Sequence, residues 1–596
     1  MFSISHFARA CLGLGALAGA ACVGPSPKPE AVEAPQVFYT VTGEIALVRH
    51  EPRVAALQYA AAAAIDNQPS LLKRAADVTA ESLQPSLTAA VAARWINQDP
   101  ASLEAHHAAA KAALALHHIA QSADQYRIVL VTSPRGTDAE FVQLETELDG
   151  VDNVFGVRQL ADRLAQAFPS SLAALRLQGF AALRADDPAA AARSFSAALA
   201  LMGSGAGAGT GADADASAST DGGAKADGGA KADAGKGGEQ RRELTQGLRR
   251  ARILAGDPEE PLAQSRAIAE RDATPENQLD YALLLLAAQR DAAAVTQLEA
   301  LAARQPESAP VALRLLGLIE FQDDKLDAAS RHFSELLGMG KFVDDSFYYL
   351  GLIAERRRDL ERAVRLYAQV QSGDNALPAL LRACSILQRH GAAPAAQELL
   401  DRLLEDEPQR APEILAARAR IYADAGDSQQ AIDVLGNSVL QYPDSVEIRY
   451  AIASTYEEQG RISAALHELK EVLKSRPDDP AAMNAYGYTL ADHNKELKYA
   501  RELIERAYAT APKNAAILDS LGWVLFRQGH GEQALPYLQA AYADDRGGDI
   551  AAHLGEVLWQ LDRRAEAQRV WSEAAAIDAD NPLLKATRQR LQAPKK

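Results

Sequence analysis

The sequence has few cysteines, few aromatic residues and no excess of basic residues. Only 3 of its 596 residues are cysteine, aromatic residues make up 6%, and the formal net charge is −17. So few cysteines exclude a disulfide framework. An acidic chain also disfavours nucleic-acid binding and tight docking on lipid headgroups, because both contacts require accumulated positive charge.

The chain also lacks the short motifs of common enzyme sites, because no H-E-x-x-H, G-x-S-x-G or paired C-x-x-C occurs. Four histidines lie close together, at His106, His107, His117 and His118. On a helix, His106 and His117 would be about 16 Å apart, too far for one zinc ion. We therefore expect no enzymatic activity, no metal and no cofactor. An enzyme whose site the repeat pattern hides is the alternative.

Cys384 is the one cysteine in the body of the chain, because Cys11 and Cys22 belong to the amino-terminal segment. It occupies a packing position in a helical pattern. We predict that it is a buried structural thiol rather than a reactive one.

Alternating β-branched runs bounded by turns, which would predict strands, are missing as well. The nearest candidate is YRIVLVTS at 126–133, which we interpret as the end of a helical repeat. Ala and Leu dominate the apolar residues, and both favour helices. The sequence therefore predicts an all-α fold.

What the sequence does contain is a spacing of small and large residues that recurs about every 34 residues. In one segment, Gly522, Ala534, Leu538 and Ala541 lie at offsets of 0, 12, 16 and 19. This pattern fits two antiparallel helices in which small residues permit close approach and the leucine fills the adjoining space. The first position can be followed along the chain at Gly43, Ala75, Ala110, Glu145, Gly179, Gly247, Ala282, Gly317, Gly351, Ala383, Ala419, Ala453, Gly487, Gly522 and Gly555.

These hairpins resemble tetratricopeptide repeats, whose pattern of about 34 residues has L-G, Y, A, F, A and P at matching places. In one hairpin, Tyr456, Ala465 and Pro477 occupy three of those places. The resemblance implies an all-α, superhelical solenoid of antiparallel helix pairs with about 14 to 15 repeats.

The first thirty residues predict export across a membrane. Arg9 supplies positive charge, an apolar stretch of small residues follows it, and prolines then stop any helix. The apolar stretch is too short to span a bilayer. We expect residues 1–21 to be a signal peptide and residues 22–37 to be a proline-rich spacer.

Cys22 follows two alanines and resembles the cysteine of a bacterial lipobox, which is acylated and becomes the mature amino terminus. The motif departs from the usual one, because Gly19 stands where leucine is usual. In the resembled family, Val23 after the cysteine points to the outer membrane. We expect lipidation of Cys22 and a periplasmic location at the outer membrane. Cleavage at Ala18-Gly19-Ala20, which would give a soluble periplasmic or secreted protein, is the alternative.

A segment without large apolar residues interrupts the repeats. Residues 203–240 are rich in Gly and Ala and contain a tandem DGGAKA, so we expect a disordered linker. The linker either forms a loop between two hairpins or separates two arms. The sequence favours two arms, an amino-terminal one over 38–202 and a carboxy-terminal array over 241–582. Residues 583–596 are expected to be a basic tail.

The first helix of each hairpin should line the concave side of such a superhelix, so side chains not used for packing point into a groove. In the last repeats these positions carry aromatic and acidic residues. Rings there would supply contact area, and carboxylates would select basic side chains of a protein segment. We predict a partner-binding groove, with packing between hairpins as the alternative interpretation. The predicted groove residues are Tyr450, Glu457, Asn484, Tyr488, Asp519, Trp523, Phe526, Glu556 and Trp559.

The whole arrangement, an export signal with a lipobox-like cysteine followed by repeats, resembles the envelope tetratricopeptide lipoproteins of Gram-negative bacteria. The resemblance implies a non-enzymatic scaffold for proteins. Its sharpest form is an adaptor that brings peptidoglycan hydrolases, which are cell-wall hydrolases, to a carboxyl-terminal processing protease. A structural assembly factor for envelope polysaccharide or secretion machinery is the alternative. We expect membrane contact through the lipid anchor only, and no nucleic-acid partner.

Overall fold

The computed structural model of the protein describes residues 36–203, 228–577 and 581–592. The predicted signal peptide and Cys22 lie outside these residues. Within them the chain forms α-helices, one short 3-10 helix at Pro408–Arg410, and no β-strand. The described helices form fifteen consecutive pairs followed by a single last helix, which confirms the predicted array of about 14 to 15 repeats. The two helices of a pair pack closely on each other in every pair except the fourth.

Five hairpins precede the insert. Their helices are α1 (Gln36–Val48), α2 (Pro52–Ile65), α3 (Pro69–Glu81), α4 (Pro85–Gln98), α5 (Leu103–Ala115), α6 (Ile119–Thr132), α7 (Thr137–Asp149), α8 (Val154–Ala167), α9 (Leu172–Arg184) and α10 (Pro188–Gly203). The segment YRIVLVTS belongs largely to α6, the second helix of its hairpin, as the sequence predicted.

Five further hairpins follow the insert. Their helices are α11 (Gly228–Leu254), α12 (Glu259–Arg271), α13 (Pro275–Ala287), α14 (Asp291–Arg304), α15 (Ala309–Gln322), α16 (Leu326–Gly338), α17 (Val343–Arg356), α18 (Leu360–Tyr367), α19 (Ala376–Arg389) and α20 (Ala393–Asp406).

The last five hairpins and the single final helix complete the array. Their helices are α21 (Ala411–Asp424), α22 (Ser428–Gln441), α23 (Val446–Glu458), α24 (Ile462–Ser475), α25 (Pro480–Asp492), α26 (Leu497–Thr510), α27 (Ala515–Arg527), α28 (Gly531–Asp544), α29 (Gly548–Gln560), α30 (Arg564–Ile577) and α31 (Pro582–Gln592).

Small residues set the contact between the two helices of a hairpin. A Cβ atom at Gly522 in α27 would lie 2.5 Å from Cγ of Leu538 in α28, and Ala534 and Leu538 are completely buried. The same contact joins Gly555 to Trp571 in the next hairpin. The predicted roles of the small and large positions are therefore confirmed, because only a residue without a side chain leaves room for the large one.

The insert does not break the array. Helix α11 packs directly on α10, and Leu244 is completely buried in one cluster with Phe195. The chain is therefore one continuous array here rather than two separate arms. The predicted disorder over 203–240 is also wrong in part, because α11 begins at Gly228.

The basic tail predicted over 583–596 is wrong as far as Gln592, because α31 forms there and packs on α29. Leu584 is the reason, since its side chain is 2% exposed and belongs to the core of the last hairpins. Helix α31 thus takes the place of the first helix of a further repeat.

The superhelix curves until its early repeats contact its late ones. Gln84, in the turn after α3, donates a hydrogen bond to the carbonyl oxygen of Gln441 at 2.9 Å. Leu83 has a φ of 55°, which is uncommon for a bulky residue, and its side chain packs on the cluster around Tyr422. A cavity of about 740 Å³ lies between the two sets of repeats.

Candidate functional site

The first helices of the hairpins lie on the inner side of the curve. Successive first helices contact one another along α7, α9, α11 and α13, and again along α25, α27, α29 and α31. Two adjacent surfaces result. We call them the amino-terminal groove, formed by α7, α9, α11 and α13, and the carboxy-terminal cluster, formed by α25, α27, α29 and α31.

The amino-terminal groove is a cavity of about 950 Å³ with an apolar floor. Val142 and Leu283 line it with 44% and 45% of their surface exposed, and Phe180 lies half-buried between their helices. Arg184 and Arg250 are exposed at its edges. Exposed apolar side chains beside fixed charges are the composition of a protein-binding groove.

Arg176 holds the helices of this groove together. Its guanidinium donates hydrogen bonds to Glu145 on α7, at 2.6 Å, and to Glu243 on α11, at 3.0 Å. Burial raises the pKa of Glu145 above its ordinary value, although the hydrogen bond and charge of Arg176 lower it. These bonds cross-link α7, α9 and α11, so a partner does not need to order the helices of the groove.

The carboxy-terminal cluster is centred on a buried contact between a histidine and an aspartate. His553 on α29 bonds through Nδ1 to Asp519 on α27 at 2.8 Å, and both side chains are at most 9% exposed. Trp523 stacks on the imidazole with ring centroids 4.1 Å apart, and the Tyr488 hydroxyl lies 3.5 Å from Nε2. Burial would lower the pKa of His553, but Asp519, with smaller contributions from Asp492 and Asp549, raises it above its ordinary value.

Further polar contacts tie the cluster to its neighbours. Trp523 donates its indole N–H to Asp492 at 3.0 Å, and the guanidinium of Arg527 lies over the same indole ring. Arg590 on α31 donates to Glu556 at 2.5 Å. A cavity of about 450 Å³ lies among these residues.

The structure brings most of the predicted groove residues onto one surface but buries several of them. Asp519, Trp523 and Glu556 are 5 to 7% exposed, so they present little area to a partner. Trp559 is half-buried against Trp571, and the remaining predicted residues are half-buried as well. Partner binding by these residues stays a prediction.

Three predicted residues occupy equivalent places in successive repeats and have unused hydrogen-bonding capacity. The Tyr450 hydroxyl, the Asn484 Oδ1 atom and the Asp519 Oδ1 atom are buried and have no hydrogen-bond partner among the described residues. Glu457 lies beside them, 3.5 Å from His493, and burial raises its pKa. This row of acceptors follows the inner side of the curve.

Sequence reasoning missed His553, Asp492 and Arg590. A signal for two of them was available, because His553 and Arg590 each lie 34 residues after the acid that they pair with, which is one repeat length. Sequence reasoning on single helices does not reveal such pairs, because the two partners belong to neighbouring repeats. It also missed the amino-terminal groove, whose apolar residues carry no distinctive motif.

Three of the four clustered histidines make side-chain contacts within the fold. His106 bonds to Gln125, His107 pairs with Glu147, and His117 contacts Asn153. In the described part of the chain, no three His, Cys, Asp or Glu side chains are placed to hold a metal ion.

The thiol of Cys384 is part of the packed core. Cys384 is completely buried, as predicted, and burial raises its pKa to about 12. None of the helices described here combines the length and the apolar content required to cross a bilayer.

Comparison with known proteins identifies the repeats. Family models for the tetratricopeptide repeat match residues 314–378 and 422–486. The TPR repeat-containing protein PA4667 of Pseudomonas aeruginosa is 34% identical over 214 residues, which are 36% of this chain and 36% of that protein. BBS4 of Bos taurus, a BBSome complex member, is 27% identical over 33% of this chain and 37% of its own length. The chain thus matches little more than a third of the length of these curated relatives.

Two solved structures of tetratricopeptide-repeat proteins also match. One, from Parabacteroides merdae, covers 42% of this chain and 98% of its own at 12% identity, with a TM-score of 0.32. The other, from Thermus thermophilus, covers 31% and 100% at 18% identity, with a TM-score of 0.28. The matched family models, the 34-residue register and the array of helix pairs together show that the chain contains tetratricopeptide repeats.

Proposed function

We propose that the protein is a non-enzymatic, lipid-anchored periplasmic scaffold that binds protein partners along the inner side of its superhelix. The observation that carries the binding role is the amino-terminal groove, where Val142 and Leu283 stay exposed on helices that Arg176 cross-links. Tetratricopeptide arrays are protein-interaction scaffolds, and a superhelix offers an extended concave surface for this purpose. The lipid anchor rests on the lipobox-like position of Cys22.

In its sharpest form, the proposal makes the protein an adaptor that holds peptidoglycan hydrolases and a carboxyl-terminal processing protease together near the outer membrane. The support is the resemblance of the whole arrangement to envelope tetratricopeptide lipoproteins. A scaffold of this kind accelerates degradation by raising the effective concentration of protease and substrate, without any chemistry of its own.

Affinity capture from gently crosslinked envelopes tests the binding role. The wild-type protein is compared with a groove variant, Val142→Asp with Leu283→Asp. The control is Val131→Asp with Leu440→Asp, two residues on second helices that are 65% and 71% exposed. We expect the groove variant to lose partners that the control retains, because a charge in an apolar groove opposes burial of the partner.

The identity of the captured proteins decides the finer role. Recovery of a processing protease with cell-wall hydrolases supports the adaptor, whereas recovery of a stable polysaccharide or secretion complex alone favours assembly. Equal capture by all three proteins would remove the groove from the proposal. Separately, Cys22→Ser should release the protein from the membrane fraction, and unchanged fractionation would remove the lipid anchor.

A further inference from the structure

The first hairpin exposes far more apolar surface than any other part of the described chain. Seventeen large apolar side chains are exposed in the described residues, and eight of them lie in α1 and α2. These eight are Val37, Phe38, Val41, Ile45, Val48, Val54, Leu57 and Ile65. The other nine are distributed over the remaining hairpins, where only Met339, Phe342 and Val343 lie close together. Such a concentration of exposed apolar side chains in one hairpin is typical of a surface that binds a partner or a membrane.

The exposed residues of α1 form one stripe. At 100° per residue, Val37, Val41, Ile45 and Val48 with Phe38 fall within an arc of about 100°, which is the width of a stripe that normally faces a core. The opposite side of the helix carries the buried residues Gly43 and Ala46. In later hairpins the preceding hairpin packs against the first helix, whereas α1 has no such neighbour among the described residues.

The charge around the stripe differs from that of the whole chain. The hairpin Gln36–Ile65 contains two acids, Glu44 and Glu51, and two bases, Arg49 and Arg53, so its formal charge is zero. Glu44 is in addition paired with Arg74. The chain as a whole carries −17, and that total argued against lipid docking. The hairpin that exposes these apolar side chains therefore has no net negative charge that would repel anionic lipid headgroups.

The position of the hairpin along the chain brings it close to a bilayer. If Cys22 carries the anchor, the tether over 23–35 has thirteen residues and reaches at most about 45 Å. This step rests on the lipid anchor of the proposed function. The hairpin is then the first folded element beyond the leaflet.

A second copy of the chain is less suited than a lipid bilayer to cover the stripe. A helix of this length offers a face of about 20 Å by 10 Å, so two stripes would bury about 400 Å² in total. Stable protein interfaces bury about 1,200 to 2,000 Å². A bilayer requires no matching partner surface, because each apolar side chain that enters it contributes to binding in proportion to the apolar area buried.

We propose that α1 docks on the lipid bilayer, with Val37, Val41, Ile45 and Val48 at the boundary between headgroups and acyl chains. The membrane contact then has two parts, the acyl group and the helix, and two contacts hold a protein at the surface more firmly than one. Docking fixes the orientation of the superhelix, so its inner side faces a defined direction in the periplasm.

Vesicle flotation of a chain that cannot be acylated tests the helix by itself. The protein is the mature chain from residue 22 with Cys22→Ser, and the vesicles contain phosphatidylethanolamine and phosphatidylglycerol. We expect this protein to float with the vesicles. Val41→Asp with Ile45→Asp should reduce the bound fraction by about tenfold or more, because a charge is excluded from the acyl region. The control Val131→Asp with Leu440→Asp should bind like the parent.

A fluorescence measurement makes the test direct. Phe38→Trp adds an indole to the stripe, and brominated lipids should quench the added fluorescence if the stripe enters the bilayer. No flotation of the parent, equal flotation of the Val41 and Ile45 variant, or a dimer abolished by that variant would each overturn the proposal. The lipid anchor is judged independently by fractionation of Cys22→Ser, so failure of one claim leaves the other testable.

Discussion

Asp444 caps a helix that lies 358 residues earlier in the chain. Its Oδ2 atom accepts the backbone N–H of Ser86 at 3.2 Å, and its Oδ1 atom accepts the Ser86 hydroxyl at 2.9 Å. Helix α4 needs this contact because its own N-cap residue, Gln84, makes no capping hydrogen bond. A carboxylate at a helix amino terminus also satisfies the positive end of the helix dipole.

A second contact, made by a positively charged side chain instead of a negatively charged one, also joins the two halves of the array. Lys513 donates from Nζ to the carbonyl oxygen of Leu254, the last residue of α11, at 2.9 Å. A cation thus meets the carboxyl end of one helix and an anion meets the amino end of another. Charged side chains of the later repeats thus bind to helix ends in the earlier repeats.

Replacing Asp444 with Ala should loosen this contact without unfolding the hairpins. We expect faster hydrogen exchange of the Ser86 amide and the first turn of α4, since loss of a cap costs about 0.5 to 2 kcal/mol. X-ray scattering should show a larger radius of gyration. Asp433→Ala, at an exposed acid on α22, is the control and should change neither quantity. Unchanged exchange in α4 would mean that the cap contributes nothing in solution.

Two helical glycines should respond oppositely to alanine. Gly555→Ala should destabilise the last hairpins by about 1 to 3 kcal/mol, because the new Cβ atom would overlap Trp571. Gly436, inside α22, has open space around its Cα atom. Gly436→Ala should stabilise by about 0.5 to 1 kcal/mol, because alanine is the better helix former. Chemical denaturation measures both, and equal effects would contradict the packing role of Gly555.

The sequence predicted the hairpins well because one local contact determines them. The volumes at Gly522 and Leu538 must match across two helices that are adjacent in the chain, so the spacing alone reveals the pair. The contact between Ser86 and Asp444 depends on the curvature accumulated over many repeats, which no local pattern encodes. The direction of each groove side chain is likewise set by neighbours one repeat away, and for this reason the burial of Trp523 beneath His553 was not foreseen.

Cys384 should be unreactive in the folded protein. Its thiol is completely buried, and its pKa of about 12 leaves little thiolate at neutral pH. In the mature chain with Cys22→Ser, we expect labelling by a thiol reagent to be about a thousandfold slower than for a free cysteine until denaturant opens α19 and α20. Ser70→Cys, at an exposed position, supplies the fast reference. Rapid labelling of both thiols would show that this hairpin opens readily.

His553 should make the stability of the last repeats depend on pH. Its folded pKa is raised by Asp519, so the protonated form is favoured in the folded state over the unfolded one, whose pKa is about 6.5. The stabilisation is therefore complete below about pH 6.5 and is lost as the pH rises through the folded pKa.

Denaturation of the wild-type protein and of His553→Gln between about pH 5.5 and 9 measures this contribution as a difference, which cancels the titration of other groups such as Glu457. The gap between the two free energies of unfolding should shrink as the pH rises. His467→Gln, at an exposed position on α24, should follow the wild type throughout. A gap that is constant across this range would mean that the pKa of His553 is the same in the folded and unfolded states, so that Asp519 does not favour the charged ring. A gap that grows as the pH rises would mean that folded His553 stays neutral and that the cluster is held by packing against Trp523 rather than by charge. In that case, Asp519 would be a buried carboxylate paired with a neutral ring, and the last repeats would lack the ion pair that joins α27 to α29.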